Sequence, residues 1–354
     1  MPQTSREIVS RCLKFEYPER MPRDLWTLPW CEEHFPEAMK EIRRRFPSDF
    51  QGAPNVYLPS SCRQGEPHVV GTYIDEWGCA FTNIQRGVIG EVKTPMIRNL
   101  SDWRNVRPPY ETLPGDAASA RDTVNRACAE TPKFTLAGCC PRPWERYQFL
   151  RGSANAMMDL LEGADEARQL LRRIHEFHLK ELEFWVSTDV DGITFMDDWG
   201  SQKALLIDPA LWRELFKPLY RDYCALAHER GKFAFMHSDG HIAAVYEDLI
   251  QVGVDAVNSQ LFCMDMDALA RVAKGRIAFW GEIDRQHILP SKDPQAGRDA
   301  VRKVAARLYD PSGGIIAQFE LGAGANPATA IAIFEEWECV EREYKAFRPV
   351  PPSS

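Results

Sequence analysis

From Phe134 to the C-terminus, short apolar runs alternate with longer amphipathic stretches, and this alternation constrains the fold more than anything else in the chain. The runs are FTLAG, DGITFMDD, KFAFMHSDG, VDAVNS, RIAFWGEID and GGIIAQFELG. Helical patterns follow them: from Trp144 onward, around Arg168 to Thr188, across PALWRELFKPLYRDYCALAHERG, near Ala243 to Val252, Met266 to Lys274 and Pro294 to Tyr309, and through NPATAIAIFEEWECVEREYKAF. Strands separated by helices of this length pair in parallel through right-handed crossovers. Six such units, with room for two more upstream, predict an α/β fold of the (β/α)8 TIM-barrel type. The alternative is an open doubly wound sheet. That fold wants a Gly-rich turn after its first strand, and the chain offers only the G-x-G of Gly322 and Gly324, after its last.

Residues 1–354 read as one domain, with 1–110 as an N-terminal extension and hairpin and 130–345 as the main barrel units. Thr4 to about Arg45 is helical and amphipathic, interrupted by RMPRDLWTLPW, which is expected to cross the molecule as an irregular loop. The segment VVGTYIDEWGCAFTNIQRGVIGEVKTPMI alternates apolar with polar residues and is punctuated by Gly78, Gly87 and Gly90, the pattern of a hairpin, here expected as a flap near the barrel mouth.

A net charge of −8, with no basic run longer than Arg43 to Arg45, argues against a nucleic-acid partner. The ten cysteines form no C-x-x-C pair, which points to reduced thiols rather than a zinc ribbon or a disulfide framework. The N-terminus lacks the basic-then-apolar pattern of a secretion signal, and no stretch reaches ~18 uninterrupted apolar residues, so a cytoplasmic location without membrane contact is expected.

In a barrel, inward residues at the carboxyl ends of the strands converge on one mouth. Here those ends carry Asp197 and Asp198, His237 and Asp239, Asn258 and Gln260, Glu282 and Asp284, and Glu320. Strand-end Asp and Asn commonly cap the following helix, and Asp208 before Pro209 and Asn326 before Pro327 fit that role. Capping does not explain His237, nor its two-residue spacing from Asp239, which puts both side chains on one face if the strand continues.

These segments together resemble the uroporphyrinogen decarboxylase superfamily, which includes cobalamin-linked methyltransferases. The likeness runs from RMPRDLW through YIDEWG, LRGSANAMMDLLE, MDDWGSQKALLIDPALWRELFKPLY, HERGKFAFMHSDG, LIQVGVDAVNSQ and FWGEIDRQHILP to NPATAI. It implies a (β/α)8 barrel with a deep cleft at its C-terminal face. The decarboxylases resemble one another in an R-Q-A-G-R stretch whose arginines hold substrate carboxylates. Here that region reads DLWTLPWCEEHFPE, with acidic residues instead, so a substrate bearing eight carboxylates would meet repulsion.

The methyltransferase branch is similar in a zinc site of H-x-C plus a cysteine before a proline on the last strand. The corresponding positions are His237, Asp239 and, counting back from Pro327, Glu320, which implies a metal site in which two carboxylates replace two thiolates. One histidine with two carboxylates suits Zn2+, and iron or manganese is also compatible. His241 is a candidate fourth ligand or acid/base, with an inert place in a helix turn as the bland alternative. Asp197 and Asp198 are candidates to orient His237 or touch a polar substrate, Glu282 and Asp284 to act as general bases, Asn258 and Gln260 to contact a cofactor. The Trp199 to Gln202 run, Trp26 and Trp30 are candidate cleft walls, and Asp75 to Trp77 a closure or a plain turn.

The implied activity is metal-dependent methyl transfer or demethylation of a small methylated compound, with a corrinoid protein or a folate as carrier. Because the chain lacks D-x-H-x-x-G, a corrinoid would arrive on a separate partner protein. A cofactor-free decarboxylase of the same superfamily, a noncatalytic binding protein and a homodimeric assembly stay open.

Overall fold

The computed structural model describes residues 2–88 and 90–345, without the side chain of Lys345. Along them run thirteen α-helices and twelve strands: β1 (Trp26–Thr27), β2 (Phe50–Gly52), β3 (Gly71–Ile74), β4 (Ala80–Asn83), β5 (Glu91–Val92), β6 (Phe134–Leu136), β7 (Gly192–Met196), β8 (Phe233–Ser238), β9 (Ala256–Ser259), β10 (Ala278–Trp280), β11 (Ile315–Ile316) and β12 (Glu320–Leu321). Seven of them form one parallel sheet in the order β11-β10-β9-β8-β7-β6-β2, which curls into a half-barrel. Beside it, β1 pairs in parallel with β12, the Asp24 N–H donates to Ala317 O at 2.9 Å, and the Asp49 N–H donates to Arg23 O at 2.8 Å. This arrangement is consistent with a TIM-like barrel, and no Gly-rich turn after a first strand argues for the open sheet.

The register explains the core. In β8, Phe233 and Phe235 point to the interior while Ala234 and Met236 face the helices, because successive strand residues alternate sides. Phe50, Phe134, Phe235 and Trp280 fill the interior, with ring centroids 5.0 to 6.0 Å apart. Each such aromatic contributes about 2 to 3 kcal/mol of hydrophobic stabilisation. Trp26 lies over Trp280 at 5.0 Å, edge on, and closes this layer beneath the mouth.

Three local expectations are corrected. Much of the 20–30 segment is not an irregular loop: Arg23 bridges Ala317 and Trp26–Thr27 is a strand. Two residues are too few to show a period, and their partner lies almost three hundred positions away. The pattern starting at Trp144 is two helices, Pro143–Arg151 and Ser153–Glu162, parted at Gly152 with φ 79°. PALWRELFKPLYRDYCALAHERG likewise divides into Pro209–Leu215 and Lys217–His228, since Pro218 opens the second helix. The hairpin segment is a three-stranded antiparallel sheet, β3-β4-β5. The last two residues of the C-terminal helical pattern, 346–347, lie outside the described residues. Among the described residues, no helix is long and apolar enough to cross a membrane.

Candidate metal centre

The alternation that sends Phe233 and Phe235 inward sends His237 inward one layer higher. Parallel pairing sets Met196 beside His237, and His237 beside Asn258. Asn258 Nδ2 donates to Trp280 O at 2.5 Å and to Gln318 Oε1 at 2.8 Å, which leaves its Oδ1 facing His237 Nδ1 at 2.7 Å. Because a backbone carbonyl can only accept, the amide orientation is fixed and His237 carries a proton on Nδ1. Nε2 is then turned to the mouth, and the Trp26 ring packs against the imidazole with centroids 5.4 Å apart.

Asp198, His237 and Asp239 meet there, each offering one ligand atom, all within 4.8 Å of one another. Nε2 stands 3.5 Å from Asp198 Oδ1 and 3.6 Å from Asp239 Oδ1, too long for good hydrogen bonds. Donors bonded at about 2.1 Å to a tetrahedral ion stand roughly 3.4 Å apart. Asp239 Oδ1 is also buried with no hydrogen-bond partner, a costly state for an anionic oxygen unless a cation meets it. The donor set fits a divalent ion. In the ion's place a proton on Nε2 answers the same charges: burial opposes the imidazolium, but Asp198 and Asp239 push His237 up to about 9. Asp198 goes the other way. Burial works against its charge, yet His237, the Asp239 N–H (2.9 Å) and Arg285 hold it below the usual carboxylate value.

The loops that bear these aspartates are locked together by glycine. Gly200 and Gly240 touch backbone to backbone, and a Cβ on either would collide with the other loop. The Gly200 N–H donates to Asp239 O at 3.0 Å and the His241 N–H to Ser201 O at 2.7 Å.

Glu320, expected as the third ligand, is not part of this group: its Oε1 accepts from Arg285 Nη1 at 3.0 Å. Arg285 also binds Asp239 Oδ2 and lies 3.7 Å from Glu282 Oε1. Glu282 is buried, and burial pushes its carboxyl up to about 7 against the pull of Arg285. Asp197 points outward, beneath the Pro143–Arg151 helix. Its two oxygens accept from the Trp144 N–H (3.0 Å), the Glu145 N–H (2.8 Å) and Tyr220 OH (2.6 Å), so it caps that helix instead of facing the mouth. Asp284 holds a turn, accepting from the Gln286 and His287 N–H groups at 2.8 and 3.0 Å. His241 precedes a short 3-10 turn, outside the group. Asn258 orients His237, and Gln260 Oε1 accepts from the Gly240 N–H at 3.2 Å; both amides position protein groups.

Of the expected cleft walls, Trp199 is fully buried and stacks on Trp144, and Trp30 stacks on His34. Asp75 holds a turn, accepting from the Trp77 and Cys79 N–H groups and from Arg146. Sequence reasoning missed Arg285, Arg142 and Glu145. Arg285 had a signal, as the lone cation directly after an acidic strand end. Glu145 had none: it lies in a first helical turn, yet burial and the nearby Asp198 raise its carboxyl, and its Oε2 is buried without a hydrogen bond.

The chain matches the uroporphyrinogen decarboxylase (URO-D) family over residues 73–338. Among solved structures it is similar to a methyltransferase from Methanosarcina mazei, at 12% identity and a TM-score of 0.69, covering 95% of this chain and 98% of that one. A GH113 β-1,4-mannanase aligns at 9% identity and a TM-score of 0.40, covering 91% and 99%. A 3-keto-D-glucoside 4-epimerase from E. coli aligns at 13% identity and a TM-score of 0.36, covering 69% and 94%. No curated protein matches the sequence. With well over half of its length matched, the chain belongs to the uroporphyrinogen decarboxylase (URO-D) family.

Proposed function

We propose that the chain is a metal-dependent methyltransferase or demethylase acting on a small methylated compound, with a corrinoid protein or a folate as methyl carrier. The observation that carries this reading is the buried, unpartnered Asp239 Oδ1 standing 3.6 Å from His237 Nε2, within a set of two carboxylates and an imidazole. Asp198, His237 and Asp239 would hold the ion, with zinc first and iron or manganese also suited to the donors. When bound, it supplies Lewis acidity that lowers the pKa of a thiol, hydroxyl or water, so that the ionised form is available near neutral pH. Fold similarity to the M. mazei methyltransferase over 95% of the chain supports the reading at the level of architecture. We read the architecture as an eight-stranded barrel closed by the 22–28 segment, with β3-β4-β5 as a flap over its mouth.

The chain's own residues divide the remaining work. Asn258 keeps the His237 proton on Nδ1 and its lone pair on Nε2. Arg285 faces Asp239, Glu320 and Glu282, so that three neighbouring carboxyl groups are tolerated. Trp26 excludes water from one side of the imidazole. Glu282, with its carboxyl pushed up to about 7, can hold or release a proton across the working range.

The same Glu282 favours a second reading, a metal-free decarboxylase in which loss of carbon dioxide leaves a carbanion that takes the Glu282 proton. Elemental analysis of untagged protein separates the two. The methyltransferase reading requires near-stoichiometric metal in the parent and its loss in His237→Ala and Asp239→Ala. Metal absent from the parent, or unchanged in both variants, leaves the decarboxylase.

A further inference from the structure

A cavity of about 910 Å3 is not lined by Asp198, His237 or Asp239. It opens between the β3-β4-β5 sheet and the loops that follow β2 and β6, so it adjoins the mouth from the side. A cavity of this size accepts a ligand well beyond a methyl compound of a few atoms.

One wall is aromatic. Tyr73, Phe81 and Phe149 line it in sequence, with ring centroids 6.0 Å apart for the first pair and 5.1 Å for the second, and Phe177 adds a fourth ring. The charges along the wall are unequally used. Asp75 spends both oxygens on the Trp77 and Cys79 N–H groups and on Arg146. Glu181 accepts from Tyr57 OH at 2.7 Å and faces His178 Nδ1 at 3.3 Å. Glu76 lies 3.6 Å from Arg146 Nη2, and Glu66 is exposed to water at the rim.

Two cations are left over. Arg142, about one third exposed, has a single carboxylate neighbour, Glu145, at 3.7 Å; among the described residues its guanidinium donates a hydrogen bond to no oxygen. Arg63 has no carboxylate partner among the described residues and sits over the Tyr73 ring at 5.6 Å. A guanidinium brings five donors in a rigid fork, and on Arg142 the Cys140 thiol and the Glu145 carboxylate at 3.7 Å occupy only part of it, so the donors that face the cavity are matched by a carboxylate or similar anion from outside.

We propose that this cleft binds a ring-bearing organic anion, with the anionic group on Arg142, the ring along Tyr73, Phe81 and Phe149, and Arg63 at the outer end. Glu145 lies 3.7 Å from Arg142, and the nearby Asp198 raises its carboxyl, so Arg142 is on the side of the cavity toward the ion group. The ligand is therefore seated to present a substituent to that group. Naming it a reactant rests on the methyltransferase reading; its binding does not.

The test is a fluorescence titration of the untagged full chain with 2-naphthoate and with its neutral isostere 2-naphthamide. Naphthoate is expected to bind at least tenfold more tightly than the amide. Arg142→Gln should erase that preference and Arg142→Lys should keep part of it. His237→Ala should bind naphthoate like the parent, whatever its metal content, so that failure of the metal reading and failure of this one stay distinguishable. Equal affinities for acid and amide in the parent, a preference that survives Arg142→Gln, or naphthoate binding lost with His237 would each overturn the proposal.

Discussion

Two neighbouring regions, the group around His237 and the cavity under the β3-β4-β5 sheet, are built on opposite principles. Around His237, the unmatched buried atoms include two carboxylate acceptors, Asp239 Oδ1 and Glu145 Oε2. Under the β3-β4-β5 sheet, Asp75 and Glu181 are held by protein donors, and two guanidiniums, those of Arg142 and Arg63, line the cavity. The first region is arranged to receive a cation and the second an anion. The lesson is that net charge is a poor guide to either: the chain carries −8 overall, and both preferences come from which hydrogen-bonding atoms are left over.

The sharpest way to break the comparison is to remove a donor from the first region. About 10 to 16 kcal/mol of binding free energy shared among some four donors makes one ligand worth on the order of 100- to 1000-fold in affinity. Asp198→Ala should lose that much zinc affinity, measured by competition with a chromophoric chelator, while naphthoate binding is untouched; an unchanged zinc affinity removes Asp198 from the site. Asn258→Ala comes next. It frees the imidazole to rotate and change tautomer, and a loss of about 10- to 100-fold in zinc affinity is expected.

Asp197→Ala sharpens the contrast between neighbours. Leaving two helix N–H groups and Tyr220 OH without an acceptor should cost about 2 to 4 kcal/mol of stability in urea unfolding, with zinc stoichiometry kept in the folded fraction. A loss of zinc without loss of stability would return Asp197 to the mouth.

Glu282 sets a pH dependence. Its native carboxyl, pushed up to about 7, lies above the ordinary 4.5, so the folded chain holds the proton longer than the unfolded one. The resulting stability is complete below pH 4.5 and is lost as pH rises to about 7, an effect of roughly 3 kcal/mol. Unfolding of Glu282→Gln compared with the parent at pH 5 and pH 7 should show that slope removed. The smallest effect is expected at Glu320. Because Arg285 already holds its carboxylate, Glu320→Ala should change zinc affinity by less than about tenfold, and a larger loss would restore it as a ligand.

Much of the architecture could be read from the chain because it is written in local periods. The runs at 191–198, 232–240 and 254–259 became β7, β8 and β9, and the helical patterns between them became helices. The two-residue spacing of His237 and Asp239 did bring both into one group, since inward alternation carries past the end of β8. The same parity separates Asp197 from Asp198, although both stand at one strand end and look alike as letters.

By itself the sequence determined the element order, the acidic strand ends and the histidine facing inward, because these depend on residues two to four positions apart. Only the tertiary structure decided that Asp198 meets His237 and Asp239, that Glu320 answers to Arg285, that Glu145 lies close by, and that the 20–30 segment contributes a strand beside β12. Those contacts join positions tens to hundreds of residues apart. They follow from strand register and loop crossings, in which a shift of one residue would turn each side chain to the opposite face.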